Sequence, residues 1–132
     1  IGALLLDGIG DTIRVSLTAP PVQEVTAANY ILKSVGLKSG GIEFISCPSC
    51  GRCKIDQVKI ANIVEKELGG IDKPIKVAVM GCAVNGPGEA GDADIGVAGG
   101  DGCAILFKKG KIIKKIPEDE ILETLLREIE EM

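Results

Sequence analysis

Ile42-Glu43-Phe44-Ile45-Ser46-Cys47-Pro48-Ser49-Cys50-Gly51-Arg52-Cys53 runs a short apolar strand into three cysteines within seven residues. Proline and glycine around the thiols let the backbone wrap the sulfurs with few side-chain clashes. A second stretch repeats the arrangement. Residues 75–81 form a strongly apolar strand that runs into Cys82, followed by Ala83-Val84-Asn85-Gly86-Pro87-Gly88-Glu89. Two strands that each end in a cysteine-bearing turn predict a sheet whose strand ends face one site.

Reading outward from these turns, a helix is expected at about 54–68. Its apolar positions are Ile55, Val58, Ala61, Val64 and Leu68, and Gly69-Gly70 stops it. Residues 94–98 read as another strand. Residues 103–107 and 111–116 read as a hairpin turning at Lys109-Gly110. A last helix covers about 118–130, with Pro117 at its start and acids in its first turn. Its buried face is Ile121, Leu122, Leu125, Leu126 and Ile129, and its charged face is read as solvated surface.

Upstream, residues 2–10 read as a short helix or turn ending in glycines. Residues 12–17 alternate Ile13, Val15 and Leu17 against Thr12, Arg14 and Ser16, which predicts a strand. Pro20-Pro21 opens a helix with the stripe Val22, Val25, Ala28, Ile31/Leu32 and Val35, ended by Gly36. That stripe is expected to be partly exposed and to invite self-association. Lys38-Ser39-Gly40-Gly41 is the linker candidate. The expected fold class is therefore α+β, a small mixed sheet with flanking helices over 38–132, preceded by a strand–helix unit over 1–37.

Composition narrows the chemistry. The chain has 132 residues, no histidine, no tryptophan and a formal charge of −4. Without histidine there is no Ser/His or Cys/His nucleophile pair and no Cys/His zinc site. An acidic chain with three aromatics (Tyr30, Phe44, Phe107) is a poor nucleic-acid platform. No apolar run approaches the roughly 20 residues that span a bilayer. The first residues lack the pattern of a signal peptide. The chain opens with Ile rather than Met, so a fragment or processed product is expected. Of five cysteines, Cys47, Cys50 and Cys53 fall within seven residues, and that tight cluster points to metal binding in a reducing compartment rather than to a disulfide framework.

From spacing alone, Cys47, Cys50, Cys53 and Cys82 are the natural four ligands of an iron–sulfur cluster. A zinc Cys₄ site and a set of buried thiols are the competing readings. Cys103, alone in a strand, reads as core. Asn85-Gly86-Pro87-Gly88-Glu89 reads on composition as a polar loop of turn residues. Yet Glu89, on the loop of Cys82, offers a harder and more labile ligand than a thiolate. Arg14 and Ser16 share one face of their strand. They are either plain exposed surface or a cation and hydroxyl converging on a phosphate.

Cys47-Pro48-Ser49-Cys50-Gly51-Arg52 together with Met80-Gly81-Cys82-Ala83-Val84-Asn85-Gly86-Pro87-Gly88-Glu89 resembles the C-terminal part of the 4-hydroxy-3-methylbut-2-enyl diphosphate synthase family. Gly8 to Leu17 and the apolar-glycine run from Asp94 to Gly100 also look like that family. The resemblance implies a TIM barrel followed by a cluster domain akin to parts of sulfite and nitrite reductases. Residues 1–37 would then be the barrel's last strand and helix, and 38–132 the cluster domain. It implies a [4Fe-4S] cluster on Cys47, Cys50, Cys82 and Glu89, which leaves Cys53 and Cys103 as spectators. It implies substrate contacts from Arg14, Ser16 and Asn85, and catalytic roles for Glu89 and Asn85. The implied reaction reductively opens 2-C-methyl-D-erythritol 2,4-cyclodiphosphate. Its two electrons come from ferredoxin or flavodoxin, in a bacterial cytoplasmic homodimer that needs no nucleic acid and no membrane. A fragment lacking most of the barrel is expected to be inactive alone.

Overall fold

Strands that pair only with sequence neighbours build the centre of the structure. The sheet has five strands in the order β1 (Glu43–Ser46), β2 (Lys76–Met80), β3 (Ile95–Gly99), β4 (Cys103–Lys108) and β5 (Lys111–Pro117). β1, β2 and β3 run parallel, and β4 and β5 return antiparallel. The coordinates are a computed structural model and describe all of residues 1–132. The chain divides into two units, Ile1–Gly40 and Gly41–Met132. The sheet lies wholly in the second, which is a small mixed α+β unit.

One face of the sheet carries branched residues. Val77, Val79, Ile95, Val97, Leu106 and Ile116 pack against Val64 and Leu68 of α3 (Gln57–Leu68) and Ile121, Leu125 and Ile129 of α5 (Ile121–Glu130). The other face is built from Ala78, Met80, Ala98 and Phe107, covered by Ala90 and Ala93. Such small residues let a loop approach the sheet closely. That loop holds α4, a single turn at Gly86–Glu89.

The hairpin and α5 agree with their sequence patterns, as do β1, β2 and β3 to within a residue. α3 begins at Gln57 rather than near 54, because the Asp56 side chain caps it by accepting from the Lys59 N–H at 3.2 Å. The first turn of the last helix is a 3-10 turn, Glu118–Glu120. Residues 86–89, read as loop, close into a helical turn instead.

In the unit Ile1–Gly40, α1 (Gly2–Leu6) and α2 (Pro21–Ser34) are helical. The strand expected at 12–17 is absent. Residues 13–17 form no ladder, since every strand of the structure lies beyond Gly41 and a strand needs a partner for its N–H and C=O groups. Instead the Leu17 N–H donates to Glu24 Oε1 at 3.0 Å. α2 buries no residue fully, and Val22 and Val25 of its apolar stripe are exposed.

Glu128 of α5 accepts ion pairs from Lys108 and Lys114, each at 2.8 Å, tying the helix to the hairpin. The two ammonium groups hold its carboxyl at about 2, against an ordinary 4.5. A depressed carboxylate stabilises the fold above its unfolded pKa and loses that contribution as pH falls from there through the folded value. Glu128→Gln is therefore expected to cost about 1–2 kcal/mol at neutral pH, allowing for screening of the half-exposed lysines. Urea titrations should show that deficit shrinking below about pH 4.5 and vanishing near pH 2.

Candidate metal centre

The carboxyl ends of parallel strands are where open α/β sheets gather ligands, and the cysteine turns sit there. β1 leads directly into Cys47, and β2 leads through Gly81 into Cys82. The Gly81 N–H donates to Cys47 Sγ at 3.1 Å, so the second strand's end holds the first strand's thiol. A Cβ on Gly81 would lie 2.8 Å from Cys53 Sγ and 3.6 Å from Cys47 Sγ. A side chain there would crowd the Cys53 sulfur, while its contact with Cys47 would be ordinary. Backbone bonds from Cys53 N–H to Cys50 O (2.9 Å) and from Lys54 N–H to Gly81 O (3.2 Å) fix the first turn against the second.

The second turn is set by the Gly86 N–H donating to Cys82 O and the Glu89 N–H donating to Asn85 O, both at 2.9 Å. Asn85 Nδ2 lies 3.4 Å from Glu89 Oε1. Gly86 presses α4 onto the sheet, where its Cβ would stand 2.8 Å from the Cβ atoms of both Met80 and Ala98.

These turns surround one cavity of about 130 Å³, lined by Cys47, Cys50, Arg52, Cys53, Cys82 and Glu89 among others. A single water needs roughly 10–15 Å³ on this measure, so the space suits a polyatomic group. The donors ring the cavity, and no three of them converge closely enough to hold a single ion. Cys82 is buried, Cys47 and Cys53 are half-buried, and Cys50 and Glu89 are exposed. The Cys82 thiol is held below its ordinary pKa chiefly by the backbone N–H of Asn85, against the opposing effect of burial. Val84 N–H, Arg52 and Gly86 N–H assist. That favours the thiolate, the form that ligates metal.

The structure thus brings Cys47, Cys50, Cys82 and Glu89 together, with Asn85 beside them. Cys53 lines the same cavity, although its Sγ donates to Ile55 O at 3.1 Å. Cys103 lies outside the cavity and is half-buried rather than core. Arg14 and Ser16 are both exposed and belong to the other unit.

Two residues escaped the sequence reading. Arg52 sits inside the cysteine motif with no pattern of its own to mark it, yet it is the one cation lining the cavity. Gln57 is 2% exposed, and its Nε2 donates to Ser46 Oγ (3.0 Å) and Val79 O (2.6 Å). It clamps the ends of the two strands that carry the ligand turns. A polar residue just inside a cap, on the helix's inner face, was the available signal.

Comparison with known proteins follows the same division of the chain. A family model described as the GcpE protein C-terminal domain matches residues 43–131, and one described as the GcpE TIM-barrel domain matches residues 1–29. The chain belongs to the GcpE family. Curated GcpE relatives carry the name 4-hydroxy-3-methylbut-2-en-1-yl diphosphate synthase (flavodoxin). The Clostridium acetobutylicum relative is 61% identical over 132 residues, covering 100% of this chain and 38% of its own length. That of Caldicellulosiruptor saccharolyticus is 62% identical over 129 residues, covering 98% and 37%. That of Geobacter sulfurreducens is 53% identical over 132 residues, covering 100% and 37%. The GcpE chain therefore spans little more than a third of the length of these relatives. No helix in it is long and apolar enough to cross a membrane.

Proposed function

We propose that the unit Gly41–Met132 holds a [4Fe-4S] cluster on Cys47, Cys50, Cys82 and Glu89, as the reductive half of a 4-hydroxy-3-methylbut-2-en-1-yl diphosphate synthase. The supporting observation is one cavity at two strand ends, lined by Cys47, Cys50, Cys82 and Glu89 with Cys53 beside them. The donor set fits: thiolates suit iron–sulfur clusters, and the backbone N–H of Asn85 biases the Cys82 thiol towards thiolate. When bound, such a cluster would supply single electrons.

The chain's own residues do the rest. Cys47, Cys50 and Cys82 give three fixed anchors. Glu89, exposed and a carboxylate, would be the harder and more labile anchor. Asn85, 3.4 Å from Glu89, steadies that carboxylate and offers an amide to substrate. Arg14 and Ser16 bind the diphosphate of 2-C-methyl-D-erythritol 2,4-cyclodiphosphate through charge-assisted hydrogen bonds. Residues 1–37 are the end of the barrel, and 38–132 a cluster domain of the sulfite and nitrite reductase type. The whole protein works as a cytoplasmic bacterial homodimer, fed by flavodoxin or ferredoxin.

Anaerobic reconstitution with iron and sulfide is the direct test. A brown chain with a broad absorbance near roughly 400 nm that bleaches on reduction is expected. A colourless chain that takes up zinc in preference to iron contradicts the reading.

A further inference from the structure

Residues 108–115 hold five lysines and no acid, in a chain whose formal charge is −4. The remaining residues therefore carry −9, so the cationic strip is a local inversion of the chain's charge. Three of these lysines are committed internally. Lys108 and Lys114 pair with Glu128, and Lys109 pairs with Asp94 at 2.7 Å. Lys111 and Lys115 have no acidic partner. Between them Ile112 and Ile113 are 62% and 54% exposed.

β5 is the outer strand of the sheet, and its pairing with β4 shifts register at Leu106/Phe107, leaving Ile113 with no residue opposite. Lysines on an edge strand deter pairing with another sheet. That role alone does not call for two exposed isoleucines. Lys111 lies opposite Lys108 and Lys115 opposite Ile105, so the two unpaired cations project from opposite faces of the edge strand and flank its exposed isoleucines from both sides. Such an edge is instead a surface for an acidic protein.

The strip begins at the amino-terminal end of β3, opposite the cysteine turns, and from there its turn reaches the loop that carries Glu89. The hairpin turns at Lys109 (φ 49) and Gly110 (φ 73), a left-handed pair that suits a two-residue turn. A Cβ on Gly110 would lie 3.2 Å from Pro87 O and 3.3 Å from Gly91 Cα. Those two residues flank Glu89. The Lys109 N–H donates to Ala93 O at 2.9 Å. The base of the cationic strip is thus packed on the loop that carries Glu89.

We propose that the β5 strip, through Lys111, Ile112, Ile113 and Lys115, is the docking surface for an acidic electron-carrier protein that reduces the centre. The inference rests on the cluster reading above. Electron-transfer partners use small, charged, short-lived interfaces, which matches a strip of this size. A second copy of the chain is disfavoured as the occupant, because its own lysines would face these.

The test uses the full chain and an acidic clostridial flavodoxin. Binding of oxidised flavodoxin is measured by titration at low and high salt, with or without a loaded centre. Lys111→Glu/Lys115→Glu should weaken binding at least about tenfold at low salt, a difference that shrinks to about twofold near 0.5 M salt. An equal charge change elsewhere, Lys66→Glu/Arg127→Glu, should alter binding less than about twofold. On the loaded chain, stopped-flow reduction by flavodoxin hydroquinone should slow in proportion for Lys111→Glu/Lys115→Glu. Reduction by the small cation reduced methyl viologen should not slow. Unchanged flavodoxin binding, an equal loss in the control pair, or equal slowing with both reductants overturns the proposal. Absence of iron and sulfide after reconstitution sinks the cluster reading instead, and the binding titration still decides the docking surface.

Discussion

Cys82→Ser is expected to lose more than nine-tenths of its iron after anaerobic reconstitution, while the apo chain stays folded. Cys82 is the only buried member of the donor set, two residues past β2, whose last four residues are buried. Its thiol is already biased towards thiolate by the backbone N–H groups of the turn it opens, Asn85 first. Serine keeps the volume and accepts the same N–H groups, so folding should survive. It cannot supply the soft anion that iron–sulfur chemistry requires. The check is iron and acid-labile sulfide per chain beside a far-ultraviolet circular dichroism spectrum. Retention of more than half the iron with an unchanged spectrum would remove Cys82 from the ligand set.

Gly86→Ala is expected to destabilise the domain strongly. The added Cβ meets the Cβ atoms of Met80 and Ala98, each 2.8 Å away and each fixed by a buried strand. Neither is the end of a flexible side chain, so the turn Gly86–Glu89 must lift off the sheet. Overpacking of this kind costs about 3 kcal/mol, or roughly 12–24 °C in Tm for a domain of under 100 residues. Because Glu89 rides on that turn, cluster retention should fall with stability. Gly88→Ala is the matched control: a Cβ there meets nothing within 4 Å, and the substitution should move Tm by no more than a degree or two. Equal losses in the two variants would show that the close approach of Gly86 is not what seats the turn.

Much of this was legible in the chain. Period and turn chemistry located the hairpin, where Lys109-Gly110 supplies the left-handed pair, and α5, whose apolar positions fall on one face. The cysteine turns were visible because strand, thiol and glycine lie adjacent in sequence. What the pattern misjudged depends on partners far along the chain. Residues 12–17 alternate well, yet alternation records which side of a sheet a residue would face, not whether a neighbouring strand exists. The turn at Gly86–Glu89 was hidden because proline and two glycines in four residues disfavour a helix, and it is contact with Met80 and Ala98 that holds it. Cys103 read as core because its strand is apolar, but it is only half-buried at the start of β4. Gln57 reaches Val79 across 22 residues of sequence, beyond any local signal. Cys53 is the sharpest case. Spacing made it a ligand, the family resemblance made it a spectator, and the structure lines the cavity with it.

That residue gives the account its most direct measurement. Iron and sulfide are counted on anaerobically reconstituted wild type, Cys53→Ala and Glu89→Ala, with electron paramagnetic resonance of the reduced chains. About four irons and four sulfides per chain are expected in wild type and Cys53→Ala, with matching spectra. Glu89→Ala should lose about one iron or change its spectrum. Loss of the cluster in Cys53→Ala, with Glu89→Ala indistinguishable from wild type, would contradict the thiolate-and-carboxylate site and leave an all-cysteine centre in its place.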